Sequence, residues 1–146
     1  MFNLRVGAAT AGIALLAACE VTYTDISDNR HLAPLVGTRY QVVGPVNLYG
    51  IGTRRSGALS YITLSPMPMD GPEFVFSRDV PRGAVITIVK VLKTNRWPDS
   101  NRVFQVRLHG VAAPPVTFVT VELFRGNESD IPWKLNPVIY RELPRQ

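Results

Sequence analysis

An all-β domain, a small barrel or compact β-sandwich behind a cleaved signal and a short tether, is the fold class that this 146-residue sequence predicts. Three observations point to it. Twelve prolines and eleven glycines break the chain into short pieces, so a helix has almost no room. From Leu35 onward the pieces are rich in Val, Ile, Thr, Phe and Tyr, side chains that suit a pleated surface. One of them alternates cleanly: Phe104, Val106 and Leu108 share one face, and Val103, Gln105 and Arg107 share the other.

The predicted strands, in order, cover residues 38–43, 46–49, 58–64, 73–76, 84–92, 102–108, 116–124 and 138–142. Residues 84–92 are apolar on both faces, with Ile86 and Ile88 opposing Val85, Val89 and Val91, as a central and strongly curved strand requires. Val80-Pro81-Arg82-Gly83 just before it reads as a turn, because proline presets the second position and glycine suits the fourth. Eight short strands with frequent turns predict a barrel or a sandwich.

Composition bounds the rest. With 46% hydrophobic and 18% charged residues the chain is that of one globular domain. The one cysteine, Cys19, precedes the predicted domain, so no disulfide, thiol nucleophile or cysteine-based metal site is expected there. The formal charge is +5 and the isoelectric point near 9.8, which suits an anionic partner; export argues against nucleic acid.

Export is read from the amino terminus. Arg5 provides a short positive start and residues 6–18 a small apolar run, too short for a transmembrane helix and ended sharply by the polar residues 20–31. Its last four residues, Leu16-Ala17-Ala18-Cys19, resemble the lipobox of bacterial lipoproteins. The resemblance implies cleavage before Cys19, a diacylglyceryl group on its thiol, and a cell-envelope protein held on a membrane by lipid. Glu20, where family members retained at the inner membrane tend to carry aspartate, implies the outer membrane of a Gram-negative bacterium. Each buried methylene of such a lipid contributes roughly 0.8 kcal/mol, so two or three chains anchor firmly. The expected organisation is a signal over residues 1–18, the lipidated cysteine and a linker over 19–34, and a β domain over 35–146.

Residues 80–108 are similar to part of a bacterial SH3-like domain. Pro81-Arg82-Gly83 opens a strand of Ile and Val, a polar loop follows, and then Phe104-Gln105-Val106-Arg107-Leu108. The chain departs from that pattern at Phe104, where tryptophan is common, and it lacks a closing Gly-Trp-Val. Membership would imply ligand binding without catalysis.

Constellations with chemistry are few. The histidines are His31, in the predicted tether, and His109, at a strand end, and no metal is expected from them. Ser100, His109 and Asp99 could formally make a triad, but no nucleophile-elbow motif accompanies them. Glu122 is the one acid inside a strongly strand-like run; a buried acid is conceivable there, though such a residue more often faces solvent. Gly50-Ile51-Gly52 lacks a following helix and reads as a loop, not a phosphate cradle. Asn127-Glu128-Ser129 matches a glycosylation acceptor that has no meaning in a bacterial lipoprotein.

Two features remain. Trp97 and Trp133 both sit beside prolines in predicted loops, where rings either line a ligand groove or close the core. Between Arg82 and Arg107 six basic residues stand against one acid, Asp99, the strongest charge bias in the chain. Together they nominate Lys93, Arg96, Trp97 and Arg102 as the partner-binding set. The function expected is a non-enzymatic, membrane-anchored binding module, without cofactor, for an envelope protein or other anionic ligand. An immunity or inhibitor protein against a secreted toxin is the alternative, and a small hydrolase ranks third.

Overall fold

A computed structural model describes residues 21–53, 57–95, 102–115 and 118–146. The protein is all-β. Among the described residues nine strands run in chain order: β1 (Tyr23–Asp25), β2 (Arg39–Val42), β3 (Asn47–Gly52), β4 (Leu59–Ser65), β5 (Phe74–Asp79), β6 (Val85–Thr94), β7 (Arg102–His109), β8 (Val119–Glu122) and β9 (Tyr140–Glu142). They form one mixed sheet in the order β5-β3-β4-β8-β7-β6-β2-β9, with β1 on β6 beside that path. All pairs are antiparallel except β4 with β8. Among the described residues no helix is long and apolar enough to cross a membrane.

The connections show that the sheet curls. β2 and β3 stand five places apart in it, about 24 Å if it were flat. The chain from Val42 to Asn47 spans at most about 18 Å. The ends of the sheet must therefore approach each other, and the chain from Asp79 to Val85, which joins β5 to β6 across the same gap, extends the β3–β5 ladder at one end and the β2–β6 ladder at the other. Val80 N–H donates to Val46 O at 3.0 Å, and Gly83 N–H to Val42 O at 2.8 Å. Pro81-Arg82-Gly83 makes the predicted turn there, with Gly83 at φ +95°, a conformation that suits glycine.

One core fills the concave side. Val42, Leu48, Ile62, Leu64, Ile86, Ile88, Val91, Phe104 and Val121 are wholly shielded from solvent within one cluster. This is the alternation read from the sequence, with one correction. A β-bulge between Ile88 and Lys90 adds a residue to β6, so Val91 faces inward with Ile88 instead of opposing it.

Two further expectations change. Gly50 and Gly52 belong to β3 and not to a loop. A Cβ at Gly50 would collide with the Phe76 ring on the neighbouring strand, so glycine here makes room for a cross-strand aromatic. The linker expected over residues 19–34 is also corrected where it is described: from residue 21 it runs along the edge of β6. β6 has ten residues and β2 only four, which leaves a length of open ladder that β1 and Ile26 complete. Leu32 then enters the core at 8% exposure, ahead of a single 3-10 turn at Ala33–Leu35.

Candidate functional site

The bulge that turns Val91 inward also puts Lys93, which is exposed, on the same face of β6. In register, Val91 stands opposite Phe104 and Lys93 opposite Arg102. The core ends at Val91 and Phe104, both fully buried, and the two cations extend the same face to its open end.

The loop from Asn127 to Leu135 closes over this end. An isolated bridge joins Glu128 to Leu135, and Ser129 N–H donates to Lys134 O at 2.8 Å. Trp133 lies 6.0 Å from Phe104, ring centre to ring centre, and the Arg102 guanidinium sits 5.8 Å from the Trp133 ring centre. Glu128 fixes both neighbours. One carboxylate oxygen accepts from Arg102 Nη2 at 2.8 Å, the other from the Trp133 N–H at 2.7 Å. Trp133 is held at φ +65°, a left-handed conformation unusual for a bulky side chain.

Between this loop and the amino-terminal segment lies a cleft of about 650 Å³. Ile26, Leu32, Leu35, Pro132 and Trp133 supply its apolar surface; His31, Lys93, Arg102 and Lys134 supply its basic groups. No carboxylate is among these lining residues. Lys134 contacts Glu142 at 3.7 Å with both side chains half exposed, a weak pair in water. Lys93 makes no ion pair among the described residues. Like charges facing each other across a ladder are destabilising, so an anion in the cleft would relieve the Lys93–Arg102 pair. On the outer side of β6, Asp25 bonds Ser27 and then Lys90, and these hold its carboxyl down to about 2.

Of the residues the sequence nominated, Lys93 and Arg102 come together here. Cys19, Arg96 and Trp97 lie outside the described residues, as do Asp99 and Ser100. His109 ends β7 exposed, beside the Thr87 hydroxyl at 3.3 Å, and His31 lies at the cleft. Among the described residues no group of three or more His, Cys, Asp or Glu side chains could hold a metal ion. Glu122, more often solvent-facing in such a setting, is buried in β8 at 7% exposure.

Sequence reasoning missed Glu128 and the hydrophobic wall from Ile26 to Leu35. The first was hidden by an irrelevant glycosylation match, the second by a polar composition in which Leu32 and Leu35 were the only signal. No protein family, curated protein or solved structure matches the chain.

Proposed function

We propose that the protein is a non-enzymatic binding module of the cell envelope, anchored by a diacylglyceryl group on Cys19, which holds an acidic segment of an envelope protein in the cleft at the mouth of its core. The carrying observation is the convergence of Lys93, Arg102 and Lys134 around Trp133 in a concave surface with no carboxylate among its described lining residues. A rigid ring gives contact area at low entropy cost, and exposed cations steer an anionic chain towards it. Concavity and the apolar wall of Ile26, Leu32 and Leu35 favour an amphipathic polypeptide over a flat layer of lipid headgroups.

Titration with an acidic, leucine-containing peptide, followed by Trp133 fluorescence in a Trp97→Phe background, tests the binding half. Saturable change with the peptide and none with anionic vesicles supports the reading; the reverse assigns the cleft to the membrane. Metabolic labelling with a tagged fatty acid tests the anchor. The Cys19→Ser variant should lose the label, because only a thiolate accepts the diacylglyceryl group, and equal labelling would rule the anchor out.

A further inference from the structure

The other side of the 127–135 loop forms a second groove, of about 610 Å³, along the last strand of the sheet. On β9, Arg141 lies opposite Gln41, while Val43 N–H donates to Ile139 O and Leu143 N–H to Arg39 O. Main-chain groups of the odd-numbered residues therefore bond to β2, and those of Tyr140 and Glu142 turn outward. The Tyr140 N–H is taken by Asn136 O at 2.8 Å. The Glu142 N–H and the carbonyls of Tyr140 and Glu142 have no strand beside them among the described residues.

Two more observations define what could pair there. Ile131 and Val138 flank the groove at 64% and 72% exposure, the highest of the large apolar side chains described. The groove is also acidic on a basic protein: Glu128, Asp130 and Glu142 line it against Lys134 alone, while the chain carries +5. Glu128 already serves Arg102, and Glu142 meets Lys134 only in a half-exposed contact at 3.7 Å, a weak pair that a ligand cation can displace, so Asp130 and Glu142 are the carboxylates available to a ligand.

We propose that this groove receives an extended basic peptide segment of another protein, added as a strand to the free edge of β9. An apolar side chain of the peptide lies between Ile131 and Val138, and a Lys or Arg two residues along meets Asp130 and Glu142. Edge addition gives affinity through the main chain, and the alternate side chains give selectivity. A second copy of this chain fits less well, because two-fold pairing of β9 edges brings Glu142 against Glu142.

A synthetic hexapeptide with Val at its second position and Lys at its fourth, so that both side chains point to one face, and Thr elsewhere, titrated into the full chain, tests this. Binding is read by fluorescence anisotropy, and the Glu142 amide by hydrogen exchange. The peptide should slow exchange at Glu142. A counterpart with Glu in place of Lys, and one N-methylated at alternate amides, should each bind at least about tenfold more weakly. Val138→Ser changes an exposed side chain without adding charge and should keep the fold while weakening binding severalfold. Equal binding of the N-methylated peptide would disprove strand addition, equal binding of the acidic peptide would disprove the charge assignment, and undiminished binding by Val138→Ser would place the peptide elsewhere. None of these readouts involves the cleft beside Lys93, so the outcome is independent of the function proposed there.

Discussion

Lys93 stands directly opposite Arg102 across the β6–β7 ladder, on the face that continues the buried core. Among the described residues only Arg102 has an internal counter-charge. Glu128, with an 11% exposed side chain, pairs with Arg102 and also takes the Trp133 N–H, so it holds the whole mouth of the fold in place.

Glu128→Ala should therefore cost stability as well as binding. It strips an acceptor from a partly shielded guanidinium and from a backbone N–H, a loss of about 2–3 kcal/mol. Thermal unfolding should show a melting temperature lower by several degrees. An unchanged value would mean that the loop is held by other contacts.

Asn127 should be among the most sensitive polar positions. At 1% exposure its amide donates to Leu64 O at 3.0 Å and Glu122 O at 2.8 Å, and its carbonyl oxygen accepts from the Tyr140 hydroxyl at 2.6 Å. Asn127→Ala removes a partner from each of three buried groups and should cost about 3 kcal/mol in denaturant unfolding. Ser129→Ala, on the same loop but bonded only locally to Ile131, should cost under about 1 kcal/mol.

All eight strands read from the sequence are present, because alternation and turn residues are local signals. Arg102–His109 shows this best: its inward Phe104 and Val106 needed no tertiary information. The faces of β6 beyond Ile88 were not legible, since a bulge is one extra residue and leaves no mark in a run of apolar side chains. The docking of residues 21–35 was hidden for a different reason. It depends on β6 being longer than β2, a relation between strands distant in sequence. The cleft inherits both effects, so Lys93 and Arg102 could be nominated but neither Lys134 nor the walls.

Removing residues up to 34 should weaken the domain. A chain beginning at Leu35 lacks Leu32 in the core and β1 on the β6 edge. Burying one leucine contributes about 1.5–3 kcal/mol and each ladder bond about 1 kcal/mol, so the loss should exceed about 3 kcal/mol against a chain beginning at Val21. Equal melting temperatures would return residues 21–34 to the role of a passive linker.

Tyr40→Phe should stabilise the protein. The Tyr40 hydroxyl is buried with no hydrogen-bond partner among the described residues, and removing it relieves about 1 kcal/mol of desolvation. Burial, with the Glu142 charge second, pushes this hydroxyl up to about 12 from an ordinary 10.0. A folded-state value raised in this way contributes stability that is full below pH 10 and lost as the pH climbs towards 12. The variant should accordingly show a shallower loss of stability in alkaline titration than the unaltered chain, and an identical slope would refute the assignment.

Binding of the acidic, leucine-containing peptide by the full chain and by its Lys93→Glu variant, at low and high salt, shows whether the cations of the cleft receive an anionic segment. Raising ionic strength from about 0.1 to 1 M shortens the Debye length from roughly 10 to 3 Å, which should weaken binding to the unaltered chain severalfold. Lys93→Glu replaces the one cation of the pair without an internal partner and sets a carboxylate opposite Arg102. It should keep or slightly raise the melting temperature and bind at least about tenfold more weakly at low salt. Equal affinity of the variant and the unaltered chain, with the same salt dependence, would contradict the account and place the partner's contact outside the cleft.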